Sequence, residues 1–408
     1  MFTQLYPFLC TAFCVLLSLP FTVQATTVNW LGTTSSDWNE PSNWDTGTLP
    51  TLGDMAYIEV VADGLNYPII NTTVAAVTQV DIADYAQLTI ATGGELLVEA
   101  TGCFDCNGFR LRPNSLLYIE EGASLTIQNT ENYGLYNTKS DVTNYGTITI
   151  NNTLDDGWYN YSNNVNAEII TITNFGTINI NNSSDKGMFN NMVNDTLYFV
   201  NNGSLQIDGS VAEALQNYAY QDSSYIEFTN GAAANLSIAN AGTDGIRNEV
   251  RCNGANAVAS IVFDNYGLIN AHTIGKNGIY NYNRGGSFYG TNYTNAEILV
   301  NDADEKGIWN RNINSDIDYD FYFEFHNYGH IEIENSFHTG LLSETSNDSL
   351  FFFNHNTIHT HNIGQEGFYI YAQNNNSVAS CINEGIITVD SSGYKGDWYR
   401  SGFEVRAR

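Results

Sequence analysis

The chain has 408 residues, of which 43% are hydrophobic, so it is long enough to bury a large core. Its formal net charge is −30 at pH 7, with only 14 lysine and arginine residues. A surface this acidic repels phosphate backbones, which argues against nucleic acid as a partner and leaves cations as suitable ones.

The first 25 residues contain an apolar run that ends in Val23-Gln24-Ala25. This ending matches the cleavage pattern of a secretory signal peptide, so residues 1–25 are predicted to be one. No later stretch is apolar enough to span a bilayer. We therefore expect a secreted protein, located outside the cell or on its outer surface.

Residues 26–60 are rich in tryptophan, with Trp30, Trp38 and Trp44 close together and Pro50 and Asp54 following. We interpret this segment as a hydrophobic cap over the open end of the fold, with a ligand site as the alternative. Residues 61–120 contain looser alternating stretches such as VDIADYAQLTIATGGELLVEA. They are predicted to form the degenerate first turns of a repeat fold.

The segment WLGTTSSDWNEPSNWDTGTLPTLGD resembles the start of secreted β-helical surface proteins of Bacteroidetes-type bacteria. Those proteins often begin with W-x-G, then W and N-W, then a proline and an aspartate. The resemblance covers about the first quarter of the chain, and it implies export to the cell surface, frequently through a C-terminal sorting domain. The chain departs from this pattern because it ends GYKGDWYRSGFEVRAR, still inside a repeat. We therefore expect a fragment of a longer protein, or a protein that lacks its C-terminal cap.

Four cysteines follow the signal peptide, which is too few for a disulfide-dense scaffold. Cys103 and Cys106 flank two residues of an insertion and are predicted to form a local disulfide. Cys381 takes an inward strand position and is expected in the core, whereas Cys252 is expected in a loop.

From residue 121 onward one block of seventeen residues recurs, and its clearest copy is NYGTITINNTLDDGWYN, residues 144–160. We number the positions of the block from one at Asn144. Nine full copies and one looser copy, which starts at Glu121, differ in length only outside the block. The full copies begin at Asn144, Asn174, Asn201, Ala232, Asn265, Thr294, Asn327, Asn354 and Asn383.

The block alternates apolar and polar residues, which predicts strands with one buried face. Position five is always aliphatic, and position fourteen is glycine in nine of ten copies. That glycine indicates either a turn with positive φ or a close backbone approach. Position one is mostly asparagine, which could form a ladder of amides. Position five is occupied by Leu125, Ile148, Ile178, Leu205, Leu236, Ile269, Ile298, Ile331, Ile358 and Ile387.

Each unit offers three short strands and no helical period. One unit cannot bury its apolar face alone, whereas stacked units can. The sequence therefore predicts an all-β fold, a right-handed parallel β-helix (β-solenoid) of about ten turns of roughly 30 residues, in which residues 121–408 form the regular repeats.

Position sixteen is aromatic in seven of ten copies. If position fifteen points inward, these residues form an external stripe that could bind an extended glycan through its ring faces. A ladder packed under loops or inside the core is the alternative. The residues are Tyr136, Tyr159, Phe189, Tyr280, Trp309, Tyr369 and Trp398.

Positions six and eight of the last three copies place two imidazoles and three carboxylates on neighbouring turns. This set suits a divalent metal such as Zn²⁺, and cross-strand ion pairs are the alternative. Acidic turns such as 302–306 begin a calcium-loop pattern that Lys306 interrupts, so solvated turn residues are favoured there. The candidate metal ligands are Glu332, Glu334, His359, His361 and Asp390.

These observations predict a structural or adhesive β-helix protein that binds a glycan or a cell-surface partner, with no cofactor beyond a possible divalent cation. The alternative is a carbohydrate-active enzyme, a polysaccharide lyase or hydrolase. No convincing catalytic constellation is visible, because Gly-His-Gly is absent and the lysines recur at repeat turns.

Overall fold

The structure is a computed structural model. The predicted signal peptide, apart from Ala25, lies outside the residues it describes, and so does Cys103. Cys106 is disulfide-bonded, and its pairing with Cys103 stays a prediction. The described residues are 25–101, 106–163, 168–221, 223–252, 259–313, 322–374, 377–393, 397–400 and 404–407.

Three parallel sheets run the length of the described chain, and each strand pairs with the equivalent strand one turn away. The chain is thus an all-β, parallel β-solenoid of about 12 turns with about 29 residues per turn, which confirms the predicted fold class. Among the described residues the only helical element is a short 3-10 helix, Pro41–Asn43.

The three sheets are numbered here for reference. Sheet 1 has 14 strands: Thr26–Trp30, Asp54–Ile58, Gln79–Ile82, Phe109–Leu111, Leu135–Asn137, Trp158–Asn163, Met188–Val193, Leu215–Tyr220, Ile246–Arg251, Ile279–Arg284, Ile308–Ile313, Leu341–Ser346, Phe368–Ala372 and Asp397–Arg400. Sheet 2 has 13: Ile69–Ile70, Gln87–Ile90, Leu116–Ile119, Asp141–Asn144, Ile169–Asn174, Thr196–Asn201, Tyr225–Asn230, Ser260–Asn265, Ser287–Asn292, Tyr322–Asn327, Ser349–Asn354, Val378–Asn383 and Glu404–Ala407. Sheet 3 has 11: Glu95–Glu99, Ser124–Thr130, Thr147–Thr153, Thr177–Ser183, Ser204–Asp208, Asn235–Ala241, Leu268–Ile274, Glu297–Ala303, His330–Glu334, Thr357–Ile363 and Ile386–Ser392.

The aliphatic residues of position five form one continuous column in sheet 3, because each pairs in register with its equivalent in the next turn. From Leu125 to Ile358 they are fully buried, and Ile387 is partly buried against the same core. The predicted buried column is confirmed. The core fills the space between the three sheets, and the outward side chains of each sheet are not part of it.

The glycine of position fourteen is explained by close approach, since its φ is not positive in any copy that the structure describes. A Cβ on Gly157 would lie 2.6 Å from the carbonyl oxygen of Gly187 and 2.3 Å from Cγ2 of Ile180. Positive φ occurs instead at position nine, as at Asn152 (55°) and Asn182 (57°). Asparagine tolerates this left-handed conformation, so it turns the chain from sheet 3 towards sheet 1.

Buried asparagines form two ladders that run along the solenoid. In the first, each amide donates to the Oδ1 of the next turn at 2.7–2.9 Å, from Asn144 to Asn383. Where the block begins with Ala232 or Thr294 the ladder is filled by Asn230 or Asn292, because the following turn is longer there. A second ladder, which the sequence analysis missed, uses position seventeen: Asn137, Asn160, Asn190, Asn217, Asn248, Asn281 and Asn310.

The tryptophan cluster belongs to the buried core of the first turns. Trp30 and Trp44 meet edge to face with ring centroids 5.0 Å apart, and Trp38 and Trp44 do so at 4.7 Å. All three rings are at most 2% exposed. Burial leaves these rings no accessible face for a ligand, and the role of residues 26–60 as a cap stays a prediction. Cys381 is also buried, and this raises the pKa of its thiol to about 12.

Candidate functional site

Position sixteen forms a column on the outer side of sheet 1, where each residue pairs with its equivalent in the next turn. Position fifteen is buried, as at Trp158 and Ile246, so the alternation of a strand turns position sixteen outward. The column therefore exists as predicted, with interruptions at Gln216, Arg247 and Leu342. Trp398 is placed in it by its backbone pairing alone.

The rings of this column stack on one another along the solenoid. Tyr136 and Tyr159 lie 5.6 Å apart, Tyr159 and Phe189 5.1 Å, and Tyr280 and Trp309 4.5 Å, with the planes within 22° of parallel. Stacked rings cover each other's faces and present their edges to solvent. The predicted exposure is wrong at Tyr280, which is only 6% exposed. The other five rings with described side chains are half-buried: Tyr136, Tyr159, Phe189, Trp309 and Tyr369.

Cationic side chains cover the ring faces that remain. The Lys306 ammonium lies 3.9 Å from the ring centre of Trp309, and the Arg247 guanidinium lies 5.1 Å from that of Tyr280. These distances are those of cation–π contacts. In a chain of net charge −30, the strand arginines with described side chains all lie in sheet 1: Arg110, Arg247, Arg251, Arg284 and Arg311.

Carboxylates balance these cations on the same face. Arg247 contacts Glu249 at 2.7 Å and Asp244 at 3.4 Å, and Arg311 contacts Glu344 at 2.7 Å. Burial raises the pKa of both Asp244 and Glu344, which lie close to these guanidinium groups. The outer face of sheet 1 thus combines ring edges with paired charges, and it can donate and accept hydrogen bonds without a large net charge.

A recess opens where Leu342 interrupts the aromatic column between Trp309 and Tyr369. Leucine is smaller than the rings on either side, so it leaves a cavity of about 320 Å³. This volume lies at the lower end of the range for small-molecule sites. The cavity is lined by Lys306, His338, Thr339, Leu342, Gln365, Glu366 and Tyr369.

The five candidate metal ligands lie together on the outer face of sheet 3. His359 Nε2 is 3.1 Å from Asp390 Oδ2, His361 Nδ1 is 3.6 Å from Glu334 Oε1, and His361 Nε2 is 3.5 Å from Glu332 Oε1. Zinc bonds of about 2.0–2.1 Å place tetrahedral ligands about 3.3 Å apart around one ion. The contacts here are separate pairs, and no three of these five residues bring ligand atoms within 4.8 Å of one another, so metal binding stays a prediction. His330, which the sequence analysis missed, also reaches Glu332, at 3.6 Å.

A second acidic cluster lies at the turns that lead into sheet 1. Carboxylate oxygens of Asp155, Asp156 and Asp185 come within 4.8 Å of one another. Burial raises the pKa of the Asp156 carboxyl to about 7. The Lys186 ammonium stands 2.7 Å from Asp185 and 3.8 Å from Asp156, so a cation of the chain itself already occupies this cluster.

A row of exposed aromatic residues was missed by the sequence analysis. Position two forms a ridge at the corner between sheets 2 and 3, where Tyr145 stacks on Phe175 at 4.6 Å. Tyr266 stacks at 3.8 Å on Tyr293, which follows the ladder residue Asn292 just before the block that begins at Thr294. Tyr145 and Phe175 are 40% and 45% exposed. The recurring triplet of asparagine, aromatic residue and glycine at the start of the block was the available signal.

Comparison with known proteins adds little. A family described as a domain of unknown function, DUF8693, matches residues 29–147, and no curated protein matches the chain. A solved structure of a hyper-glycosylated TibA fragment, glycosylated by TibC, covers 93% of this chain and 97% of its own at 12% identity. Its TM-score of 0.20 is too low to support any argument about function. No helix in the described ranges has the length and hydropathy to cross a membrane.

Proposed function

We propose that this β-solenoid is an extracellular structural or adhesive protein that binds a glycan or a surface partner along its side. The observation that carries the proposal is the outer face of sheet 1, with its column of aromatic edges, paired charges and the recess at Leu342. A rod that repeats similar outward side chains at every turn can sum many weak contacts along an extended ligand.

The recess is the point in the column at which a sugar would fit best. Tyr369 supplies an aromatic wall, and Lys306 and Glu366 supply a donor and an acceptor. Lys306 already lies 3.5 Å from Glu305, so its charge is partly compensated. The local charge balance therefore supports an uncharged sugar, and the acidic surface would exclude strongly anionic glycans unless cations bridge them.

Filling the recess tests the proposal. Leu342→Trp places an aromatic ring where the column elsewhere carries one, so the fold should persist while the cavity closes. We expect the Trp variant to lose retention on neutral glycans in affinity electrophoresis. Leu342→Met, which conserves the side-chain volume, is the matched control and should keep it. Unchanged retention by the Trp variant, with an unaltered circular dichroism spectrum, would reject the recess as the binding site.

A carbohydrate-active enzyme is the second candidate, because Lys306, His338 and Glu366 are ionisable groups around one cavity. Such groups could exchange protons with a bound sugar. Incubation with neutral and acidic polysaccharides, followed by measurement of new reducing ends and of unsaturated products, decides between binding and turnover.

A further inference from the structure

A groove separate from the recess at Leu342 lies at the corner where the chain turns from sheet 3 into sheet 1. Position eleven of each block lies here, and its backbone N–H donates to the carbonyl of position ten in the preceding turn. This register is seen at Gly275, Asp304, Phe337 and Gly364. Side chains at position eleven therefore form a row parallel to the solenoid axis, and its composition decides the shape of the corner.

Two hollows open along this row. One hollow has a volume of about 330 Å³ and is lined by Asn240, Ala241, Thr273, Ile274, Gly275, Asp302 and Asp304. The other, of about 350 Å³, is lined by Asp302 and Asp304 again and by Phe337, with residues of the next turn. The two carboxylates thus form a shared wall between adjacent hollows. Position eleven on either side is glycine, because a Cβ on Gly275 or Gly364 would lie 2.3 Å from the carbonyl oxygen of Gly242 or 1.9 Å from that of Phe337. No side chain therefore projects from either position.

The side chains along the groove match the chemistry of a sugar. Phe337 is 71% exposed and offers an apolar ring beside the second hollow. Asp302 and Asp304 are exposed and can accept hydrogen bonds from hydroxyl groups. The negative charge of each carboxylate strengthens these hydrogen bonds. The amides of Asn335 and Asn362 can both donate and accept.

The charge of the groove limits what can bind. Neither hollow has a lysine, arginine or histidine among its lining residues, and two carboxylates separate them. A polyanion would meet repulsion from Asp302 and Asp304 as well as from the overall charge of −30. An uncharged chain of sugars would meet hydrogen-bond acceptors and one aromatic platform.

We propose that this corner groove, lined by Asp302, Asp304, Asn335, Phe337 and Asn362, is a binding site for an extended neutral polysaccharide. The positive-φ column that runs through it, from Asn240 to Asn362, covers five turns at about 4.8 Å per turn. That length accommodates several sugars in line. The proposal shares with the proposed function only the class of ligand, since none of the lining residues belongs to the recess at Leu342.

Affinity electrophoresis and calorimetry on soluble glucans, mannans and xylans test the site, with polygalacturonate as the anionic comparison. Phe337→Ala should weaken binding of a neutral polymer about tenfold or more. Leu154→Ala is the matched control, because Leu154 is an exposed residue at the same repeat position outside the groove, and it should change nothing. Asp302→Asn with Asp304→Asn should weaken neutral binding and reduce the exclusion of polygalacturonate.

The outcomes separate this groove from the recess. Loss of neutral binding in Phe337→Ala but not in Leu342→Trp supports the groove, whatever becomes of the recess. Binding that is unaffected by Phe337→Ala overturns the proposal, and so does the absence of binding to every neutral polymer tested. Binding of polygalacturonate that requires Ca²⁺ and is abolished by EDTA would instead make the two carboxylates a cation site, which also overturns it.

Discussion

Replacement of Asn201 by alanine is the sharpest test of the inner asparagine ladder. Asn201 is fully buried. Its amide donates to Asn230 Oδ1 at 2.9 Å and to the backbone carbonyl of Asn235 at 3.3 Å, and its own Oδ1 accepts from Asn174 at 2.8 Å. Asn201→Ala removes all three hydrogen bonds. It leaves Asn230 Oδ1 without the amide that donates to it in the ladder.

The magnitude follows from these contacts. Each hydrogen bond contributes about 1 kcal/mol net, and a buried acceptor left without its donor costs about 1–3 kcal/mol more. We therefore expect the free energy of unfolding to fall by about 4 kcal/mol. Asn181→Ala is the matched control. Asn181 donates to Asn151 at 2.8 Å in an outward, half-exposed ladder, where water replaces the lost partner, so about 0.5 kcal/mol is expected.

Urea unfolding followed by circular dichroism measures both variants. Because long repeat arrays can open locally, hydrogen exchange of the strands that flank Asn201 should be measured as well. The expected result for Asn201→Ala is a large loss of protection in the neighbouring turns. Equal destabilisation by the two variants, or a cost below about 1 kcal/mol for Asn201→Ala, would refute the argument that burial makes this ladder important.

Three further predictions concern other parts of the chain. Ile269→Asp should prevent folding or destabilise severely, as seen by circular dichroism, because it puts an unpaired charge into a fully buried column. Zn²⁺ titration by calorimetry should release heat that the His359→Ala/His361→Ala double variant does not, and equal heats would leave only ion pairs. Burial raises the pKa of Asp156 from 3.8 to about 7, so the folded state stays protonated to a higher pH than the unfolded state does. The free energy of unfolding therefore falls as the pH rises between these two values. Asp156→Asn should therefore be more stable than the natural chain at pH 8 but not at pH 5 in thermal unfolding.

The repeat made the fold predictable. Alternation around Ile148 and Ile178 identifies a buried face, and the recurrence of this face in every block is satisfied when each turn stacks on the next. The block put Ala232 and Thr294 at position one, whereas the ladder is occupied there by Asn230 and Asn292. The turns after these asparagines are longer, and a block of fixed length cannot absorb that change. The predicted stacking was therefore correct, and the predicted register was wrong only at the start of these two copies.

The candidate sites were less predictable, because exposure depends on contacts between turns. The pattern placed Tyr280 outward, but it could not show that Trp309 and Arg247 would cover both faces of the ring. The histidine patch was found because its residues lie in strands with a fixed register. The groove beside Phe337 was missed because it lies at a corner, where strand alternation assigns no direction to the side chain.

Both proposed binding sites occur where an outward column is interrupted. In a solenoid the side chains at one position fill the space above and below their equivalents, so an unbroken column leaves no cavity. Leu342 interrupts the aromatic column of sheet 1, and Gly275 and Gly364 interrupt the row at position eleven. An inward position can vary only where neighbouring side chains fill the space, because a gap in the core destabilises the stack. Gly290 stands between Phe263 and Phe325 in an inward column of sheet 2, and a Cβ there would lie 2.7 Å from Cδ2 of Phe325 and 3.0 Å from Cε1 of Phe288. Both proposed sites therefore lie at departures from the repeat on the outer surface, which is where both sets of variants are placed.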